Sequence, residues 1–229
     1  MFRLTAYRLV GILPGMANPA TKPRAQRESK TKILEAALSL IRSKGYSATT
    51  VDDICRTAGL SKGSFFHHFK SKEELALAAA EHFSTMASGF FAAAPYRAAV
   101  DPLDRLLGYV DFRSAILRGK LPEFTCLLGT MVQETYETHP PIRKACNQYI
   151  SAHAAEVARD IEGAKQLYAP NAPWSAEGLG LFTQAVIQGA FILAKARHGP
   201  AVAVECLAHL RRYLELQFRP PNSRRKEAA

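Results

Sequence analysis

The sequence predicts an all-α protein of about nine helices, and three observations support this. Apolar residues recur at helical spacing along most of the 229 residues, whereas no segment sustains the apolar/polar alternation of a half-buried strand. Prolines and glycines divide the chain into segments of helical length. Hydroxyl or carboxylate side chains that can cap a helix precede several of these segments.

The first two predicted helices follow from local signals. Residues 1–27 read as a flexible basic arm, and translation could also start at Met16. A helix is expected from about residue 28 until Gly45 ends it. Thr50 and Asp53 then have the form of a capping box that opens a short second helix.

Further glycine and helix-capping residues predict closely spaced helix starts and therefore a compact head. Gly59 ends the second helix, Ser61 can cap a third over about residues 62–69, and Ser71 with Glu74 has the form of another capping box. The head is expected to span residues 28–74, and a larger domain residues 75–219. The helices of that larger domain are expected at about 75–91, 102–118, 125–137, 142–168, 175–197 and 201–218, before a basic tail at 220–229.

Composition narrows the class of partner. The chain has 30 Lys and Arg residues against 20 Asp and Glu, a net charge of +10, which favours a polyanionic partner. No run approaches the roughly 18 apolar residues of a membrane span, so we expect a cytoplasmic protein with no membrane partner. The four widely spaced cysteines and the lack of a G-x-S-x-G, P-loop or H-E-x-x-H motif predict neither an enzyme, nor a metal, nor a cofactor.

The second and third helices have the dimensions of a helix-turn-helix, in which the second helix enters the major groove. Lys62 at the start of that helix can reach a phosphate or a guanine edge. Gly63 lets the helix approach DNA closely, and Ser64 can hydrogen-bond to it. Phe65 and Phe69 are expected to pack in the core.

At these residues the chain resembles the TetR (tetracycline-repressor) family of transcriptional regulators. The resemblance covers TTVDDICRTAGLSKGSFFHHFKSKEEL and the preceding ILEAALSLIRSKG. It implies a homodimer, most often a repressor, that binds palindromic operator DNA and a small effector. The DNA contacts it implies are Thr50 and Lys72 to the backbone, Lys62, Gly63 and Ser64 to bases, and His67 to a phosphate or a base edge.

The chain departs from the family at Phe66, where most members have a tyrosine whose hydroxyl contacts a phosphate. Phe66 cannot make that bond, which leaves His67 or His68 as the substitute. Whether Phe66 contacts DNA or packs in the core is left open.

The larger domain is expected to hold an effector pocket and a dimer interface. Residues 123–147 resemble a C-terminal subtype of the family, without naming a ligand. An apolar or aromatic effector would suit a pocket lined by Phe112, Ile116, Cys126, Leu127, Met131, Tyr149, His153 and Phe182. The resemblance implies that the last two helices form a four-helix bundle with a partner, and the expected contacts are Phe182, Ile187, Gly189, Ala190, Phe191, Leu207, Leu210 and Leu214.

Two alternative functions stay open. One is an architectural DNA-binding protein that responds to no effector. The other is a redox or electrophile sensor, because Cys126 lies near a predicted helix start, where the helix dipole favours a thiolate. Free cysteines are also commonly buried and inert.

Overall fold

The computed structural model describes residues 21–218, which fold into ten α-helices and one 3₁₀ turn, with no strand in that range. The all-α prediction is confirmed. The helices are α1 (Thr21–Lys44), α2 (Val51–Ala58), α3 (Lys62–His68), α4 (Lys72–Ala92), α5 (Pro102–Ala115), α6 (Leu121–Phe124), α7 (Leu127–Thr135), α8 (Pro140–Tyr168), α9 (Ala176–Ala196) and α10 (Ala201–Phe218), with the 3₁₀ turn at Pro95–Ala98. Most of the expected arm, including Met16, and the expected tail at 220–229 lie outside the described residues.

Local capping sets the helices of the head. The Thr50 hydroxyl accepts the amide proton of Asp53, and the Asp53 carboxylate accepts that of Thr50, so the predicted capping box is confirmed. Gly59 ends α2 with a left-handed φ of 66°, and Ser61 caps α3, as predicted. The inner faces of the head helices share one core, whose most buried side chains include Ile33, Ile41, Ile54, Phe65, Phe69 and Leu75.

Helix α1 begins at Thr21 rather than near residue 28, so the last part of the expected arm is helical. Two side-chain contacts with α3 hold this extension. The amide nitrogen of Gln26 lies 2.9 Å from His67 Nε2, and the hydroxyl of Ser29 lies 2.7 Å from His68 Nε2. No local sequence signal predicts these contacts, because the partners are about forty residues apart.

Two smaller differences concern helix starts. Ser71 caps α4 by accepting the amide proton of Glu74, as predicted. The Glu74 carboxylate, however, accepts from the amide of Lys70 instead of Ser71, so the reciprocal half of that capping box is wrong. The single-turn helix α6 was missed, because four residues that include Pro122 show no periodicity.

The larger domain packs α5, α8, α9 and α10 around a second core. Fully buried members of that core include Leu103, Leu106, Ile161, Ile187 and Leu214. Helix α9 lies close to α8 at Gly180, where an added Cβ would come within 2.9 Å of the Ala154 carbonyl oxygen. Among the described helices, α9 is the one long and apolar enough, by composition, to cross a membrane, and 44% of that stretch is buried in the fold. Core helices of globular proteins meet the same criterion.

Candidate DNA interface and ligand cavity

At the start of α3, the exposed cation Lys62 stands next to Gly63, which has open space around its Cα. Lys62 Nζ lies 2.7 Å from Asp52 Oδ1, and both side chains are well exposed. The hydrogen bond from Lys62 to Asp52 raises the pKa of the lysine. A Cβ at Gly63 would meet no atom closer than the Ser61 hydroxyl at 3.6 Å. A larger residue would therefore fit at position 63 within the protein itself. A need for glycine here would come from the molecular surface that α3 approaches.

Three aromatic side chains of α3 separate into two groups. Phe65 and Phe69 are 0% and 2% exposed, so their predicted place in the core is confirmed. Phe66 is 55% exposed and packs edge-on against Phe65 at 5.2 Å between ring centroids. It lies on the outer face of α3, beside the histidines that contact α1, and not in the core.

Two of the predicted DNA contacts already have partners within the head. The Thr50 hydroxyl caps α2 and also donates to Asp53. Lys72 Nζ donates to the carbonyl oxygens of Tyr46 and Thr49, both at 3.1 Å, and lies 4.2 Å from the centroid of the Tyr46 ring. Burial lowers the pKa of Lys72. Both side chains stabilise the loop between α1 and α2, and their contact with the DNA backbone stays a prediction.

A cavity of about 110 Å³ lies among α4, α5, α7, α8 and α9. Most of its wall is apolar, formed mainly by Phe83, Phe91, Phe124, Leu128, Tyr149 and Phe191. The polar part of the wall comes from Arg113, Thr125, His153, Glu156, Gln184 and Gln188, with serines of α4. A cavity of roughly 150 Å³ in another protein binds benzene, so this one suits a ligand of about one ring.

The structure brings three of the eight predicted pocket residues to this cavity: Cys126, Tyr149 and His153. Leu127 and Met131 do not line it, since both are fully buried in the core of the head, against which α7 packs. Phe112 lies in an aromatic cluster with Phe90, Phe91 and Tyr96. Ile116 packs against the core of the larger domain, and Phe182 is exposed beside Tyr213. Helical periodicity gave the buried face of each helix but not which neighbour covers it.

A hydrogen-bond network closes one end of the cavity. The buried Tyr109 hydroxyl accepts from Arg113 Nε at 3.1 Å and from Gln184 Nε2 at 3.2 Å, which leaves its proton for His153 Nε2 at 2.9 Å. Burial, with the nearby Arg113 and Arg97, lowers the pKa of His153 to about 3. The imidazole is therefore neutral at physiological pH, with its proton on Nδ1.

Arg113, Gln184 and Gln188 were missed in the sequence. The two glutamines stand four residues apart in the otherwise apolar segment FTQAVIQGAF of α9, and such a pair on a buried helix is the signal that could have found them. Arg113 carried no such signal, because a lone arginine near the end of a helix is common at a surface.

Helix α7 connects this cavity with the head. At its start, Cys126 lines the cavity and is the N-cap residue, whose Sγ accepts the amide proton of Gly129 at 3.4 Å. Near its end, Glu134 accepts the amide protons of Tyr46 and Ser47 at 3.1 and 2.8 Å. Gly45, with φ of 90°, lies so close to Glu134 that any side chain would collide with the carboxylate.

An exposed apolar face runs along α9 and α10. Of the eight residues predicted for the dimer interface, Phe182 is exposed and Gly189 is half-buried with open space at its Cα. The other six, Ile187, Ala190, Phe191, Leu207, Leu210 and Leu214, are buried in the subunit's own core, and contact of α9 and α10 with a partner stays a prediction. The exposed apolar face is formed by Leu181, Phe182, Ile192, Leu193, Val204, Tyr213 and Leu216.

Two family models match separate parts of the chain. Residues 33–79 match the model of the tetR family of bacterial regulatory proteins, and residues 102–202 match the C-terminal domain of LmrA/YxaF-like transcriptional regulators. Transcriptional regulator AcuR of Cereibacter sphaeroides is 30% identical over 127 residues, which are 53% of this chain and 55% of AcuR. The HTH-type transcriptional repressor KstR2 of Rhodococcus jostii is 40% identical over 57 residues, 25% of this chain and 28% of KstR2.

The fold has been seen in solved structures. A TetR transcriptional regulator from Chloroflexus aurantiacus superimposes with a TM-score of 0.75 at 24% identity, covering 85% of this chain and 98% of its own. The two family models cover the head and most of the larger domain, whereas the chain spans only about a quarter to just over half of the curated relatives above. The chain belongs to the TetR family of transcriptional regulators.

Proposed function

We propose that the protein is a repressor that binds two-fold-symmetric operator DNA as a homodimer and releases it when a small apolar or aromatic effector fills the cavity. The observation that carries this proposal is α7, whose first residues line the cavity and whose Glu134 holds the loop of the head. Because its ligand is chromosomal DNA, the proposed place of action is the cytoplasm.

In the proposed complex, α3 lies in the major groove. The positions that support this are the exposed Lys62, Gly63, Phe66 and His67 and the half-buried Ser64, with Thr50 and Lys72 proposed beside the backbone. Lys62 must leave Asp52 to reach DNA, which costs little, because both side chains are exposed and water solvates the separated charges.

Dimerisation is proposed through the exposed apolar face of α9 and α10. Several exposed apolar side chains on two adjacent helices, with Phe182 of α9 in ring contact with Tyr213 of α10, are typical of a protein interface. Gly189 offers space for the close approach of a partner helix. A two-fold dimer would present its two α3 helices to half-sites about one DNA turn apart.

Effector release needs a ligand with different affinity for two conformations of the dimer, and typical couplings are about 1–3 kcal/mol. A ligand at the first turn of α7 would act on Tyr46 and Ser47 through Glu134. The loop that contains these residues precedes α2 and therefore positions the helix-turn-helix.

Fluorescence anisotropy with labelled DNA from upstream of the protein's own gene tests the proposal. We expect specific binding to a two-fold-symmetric site at physiological salt and loss of affinity when one half-site is scrambled. Failure to bind any such site would overturn the proposal. If the site is bound but no compound in a panel of small aromatic and aliphatic molecules changes the affinity, the architectural alternative is favoured.

Lys62→Ala tests the placement of α3. We expect weaker operator binding; a salt slope lower by about one would make Lys62 a phosphate contact, and relaxed base preference would make it a reader of bases. Lys144→Ala, which removes an exposed cation of α8, serves as the control and should leave binding unchanged. Equal affinities of both variants and the wild type would exclude Lys62 from the interface.

A second candidate function rests on Cys126, and we infer a thiol sensor that responds to oxidants or electrophiles. Its sulfur faces the amides at the start of α7 and lines the ligand cavity as well as a smaller cavity that contains Lys195. The burial of Lys195 lowers the pKa of its ammonium group. Cys126→Ser should abolish operator release by quinones or hypochlorite, whereas Cys206→Ser should not. Unchanged release in Cys126→Ser would remove this function.

A further inference from the structure

The polar end of the cavity has an uneven distribution of charge. Arg113 brings a guanidinium cation to this end, and its Nε donates to the Tyr109 hydroxyl. Within residues 21–218, neither Nη1 nor Nη2 has a hydrogen-bond partner, and no carboxylate oxygen lies within 4.0 Å of the guanidinium. The group is instead stacked at 4.6 Å from the Phe91 ring centroid and 5.6 Å from that of Tyr109.

The other charged group of the cavity wall is already matched. Glu156 lies 3.8 Å from Arg159 Nη2 and 3.9 Å from His153 Nδ1. The Arg159 side chain is 74% exposed, so this carboxylate is compensated from the solvent side. Neither of its oxygens lies within 4.0 Å of the Arg113 guanidinium.

The remaining polar groups at this end hold Arg113 in place. Tyr109 is 2% exposed and its hydroxyl has all its hydrogen bonds made within the protein. Because the hydroxyl proton is given to His153, its lone pairs fix the direction of Arg113 Nε. A guanidinium fixed at Nε still offers its two terminal nitrogens, which together match the two oxygens of a carboxylate.

We propose that the cavity binds a small aromatic or compact aliphatic monocarboxylate, with its apolar body among the phenylalanines and its carboxylate on Nη1 and Nη2 of Arg113. Among the described residues, the terminal nitrogens of Arg113 make no hydrogen bond and are not buried, so a carboxylate can replace the water that solvates them and make a bidentate, charge-assisted contact beside apolar walls. The volume of about 110 Å³ limits the body to about one ring. This inference rests on the proposed function only in naming the effector; the binding itself can be measured without DNA.

Isothermal titration of the full chain with benzoate and benzamide tests the charge, because the two compounds have nearly the same shape and differ in charge at pH 7.5. Phenylacetate with phenylacetamide and hexanoate with hexanamide extend the test to other bodies. We expect at least one acid to bind about tenfold or more tightly than its amide. Equal binding of acid and amide in every pair, or no binding of any acid at millimolar concentration, would overturn the proposal.

Arg113→Gln tests the residue. We expect the preference for the acid over the amide to fall to about one, while Arg118→Gln, which changes an exposed arginine outside the cavity wall, keeps the wild-type preference. Arg113→Lys keeps the positive charge but lacks the two parallel N–H donors of the guanidinium, so it should keep part of the preference for the acid. This variant provides the test if Arg113→Gln does not fold. A full acid preference in Arg113→Gln would exclude this residue as the carboxylate partner.

Operator release separates this inference from the proposed function. If an acid binds through Arg113 but leaves operator affinity unchanged, the ligand class is right and the effector mechanism is wrong. If neutral amides release the operator as well as the acids do, the effector mechanism stands and the carboxylate site is wrong.

Discussion

Phe66 is a large apolar side chain on the face of α3 that we propose to enter the groove, and it lacks the one atom with which a tyrosine would bind a phosphate. We expect Phe66→Tyr to tighten operator binding by about 0.5–1.5 kcal/mol, the net value of one hydrogen bond. The salt slope should not change, since no charge is added. Anisotropy titrations at several salt concentrations measure both quantities.

Phe65 provides the matched control for that change. Its ring is fully buried, so Phe65→Tyr would bury a hydroxyl beside apolar neighbours and should lower the free energy of unfolding by about 1–3 kcal/mol. An unchanged operator affinity in Phe66→Tyr would mean that this face of α3 does not approach a phosphate.

His153 makes the stability of the fold depend on pH. Its pKa is about 3 in the folded chain, against 6.5 for an unperturbed histidine. Between these values the unfolded chain binds a proton that the folded chain does not, so stability rises with pH, by up to about 1.4 kcal/mol per unit. We expect His153→Gln to reduce this slope between pH 4.5 and 6.5 in urea unfolding.

The reference for that measurement is pH 7.5, where the imidazole is mostly neutral in both states. His153→Gln can keep an acceptor for the Tyr109 hydroxyl. It should therefore change the free energy of unfolding less at pH 7.5 than at pH 4.5. Parallel pH profiles for the variant and the wild type would contradict the assigned burial of a neutral imidazole.

At the level of single residues, the sequence allowed good prediction where the interaction is local. Thr50 with Asp53 and Gly59 act within one turn of their own helix, and both predictions were right. Arg113 was out of reach, because its role needs Tyr109, Gln184 and His153 from three different helices. The same limit applies to His67 and His68, whose partners lie in α1.

Among the helices, α7 contacts a different unit at each end: its start lines the cavity of the larger domain, and Glu134 near its end contacts the head. Glu134→Gln replaces two acceptor oxygens by one, so only one of the amides of Tyr46 and Ser47 can keep its hydrogen bond. We expect faster hydrogen exchange at one of these amides and a loss of about 1 kcal/mol from the coupling between effector and operator. Ligand affinity in the absence of DNA should not change.

Glu137→Gln is the control for this change, because Glu137 is exposed just beyond the end of α7. It should leave both amides and the coupling as they are. Full coupling in Glu134→Gln would mean that the signal reaches the head by another route, such as α4, which also spans both units.

Helical periodicity in the sequence predicted the helices of the larger domain, but not which helices pack against one another. Leu127 and Met131 were predicted to line the pocket. Both side chains pack in the core of the head instead, and the cavity wall in this part of the chain is formed by Thr125, Cys126 and Leu128. On α9 and α10, six of the eight residues predicted for the dimer interface face the subunit's own core, since both faces of these helices carry apolar residues.

For the whole molecule, the proposed dimer sets the geometry of DNA binding. Leu193 is 44% exposed on the apolar face of α9, and Leu193→Glu should place a charge in the interface. We expect the wild type to sediment as a dimer and the variant as a monomer, with operator affinity lower by tenfold or more. Analytical ultracentrifugation and anisotropy measure the two effects.

Leu167→Glu is the matched control, because Leu167 is 64% exposed on α8 and lies outside the α9 and α10 face. It should leave the dimer and operator affinity intact. A Leu193→Glu protein that remains dimeric, or a wild type that is monomeric, would mean that this apolar face has another occupant.

The apolar character of α9 also bears on how the chain is made. It is the described helix with the composition of a membrane segment, and about half of it is covered within the subunit. A newly synthesised subunit without a partner would expose a surface that aggregates or attracts chaperones. In a repressor that pairs through this face, each subunit covers the apolar face of the other. At low expression few subunits find a partner, so the concentration of active dimer would fall more steeply than the rate of synthesis.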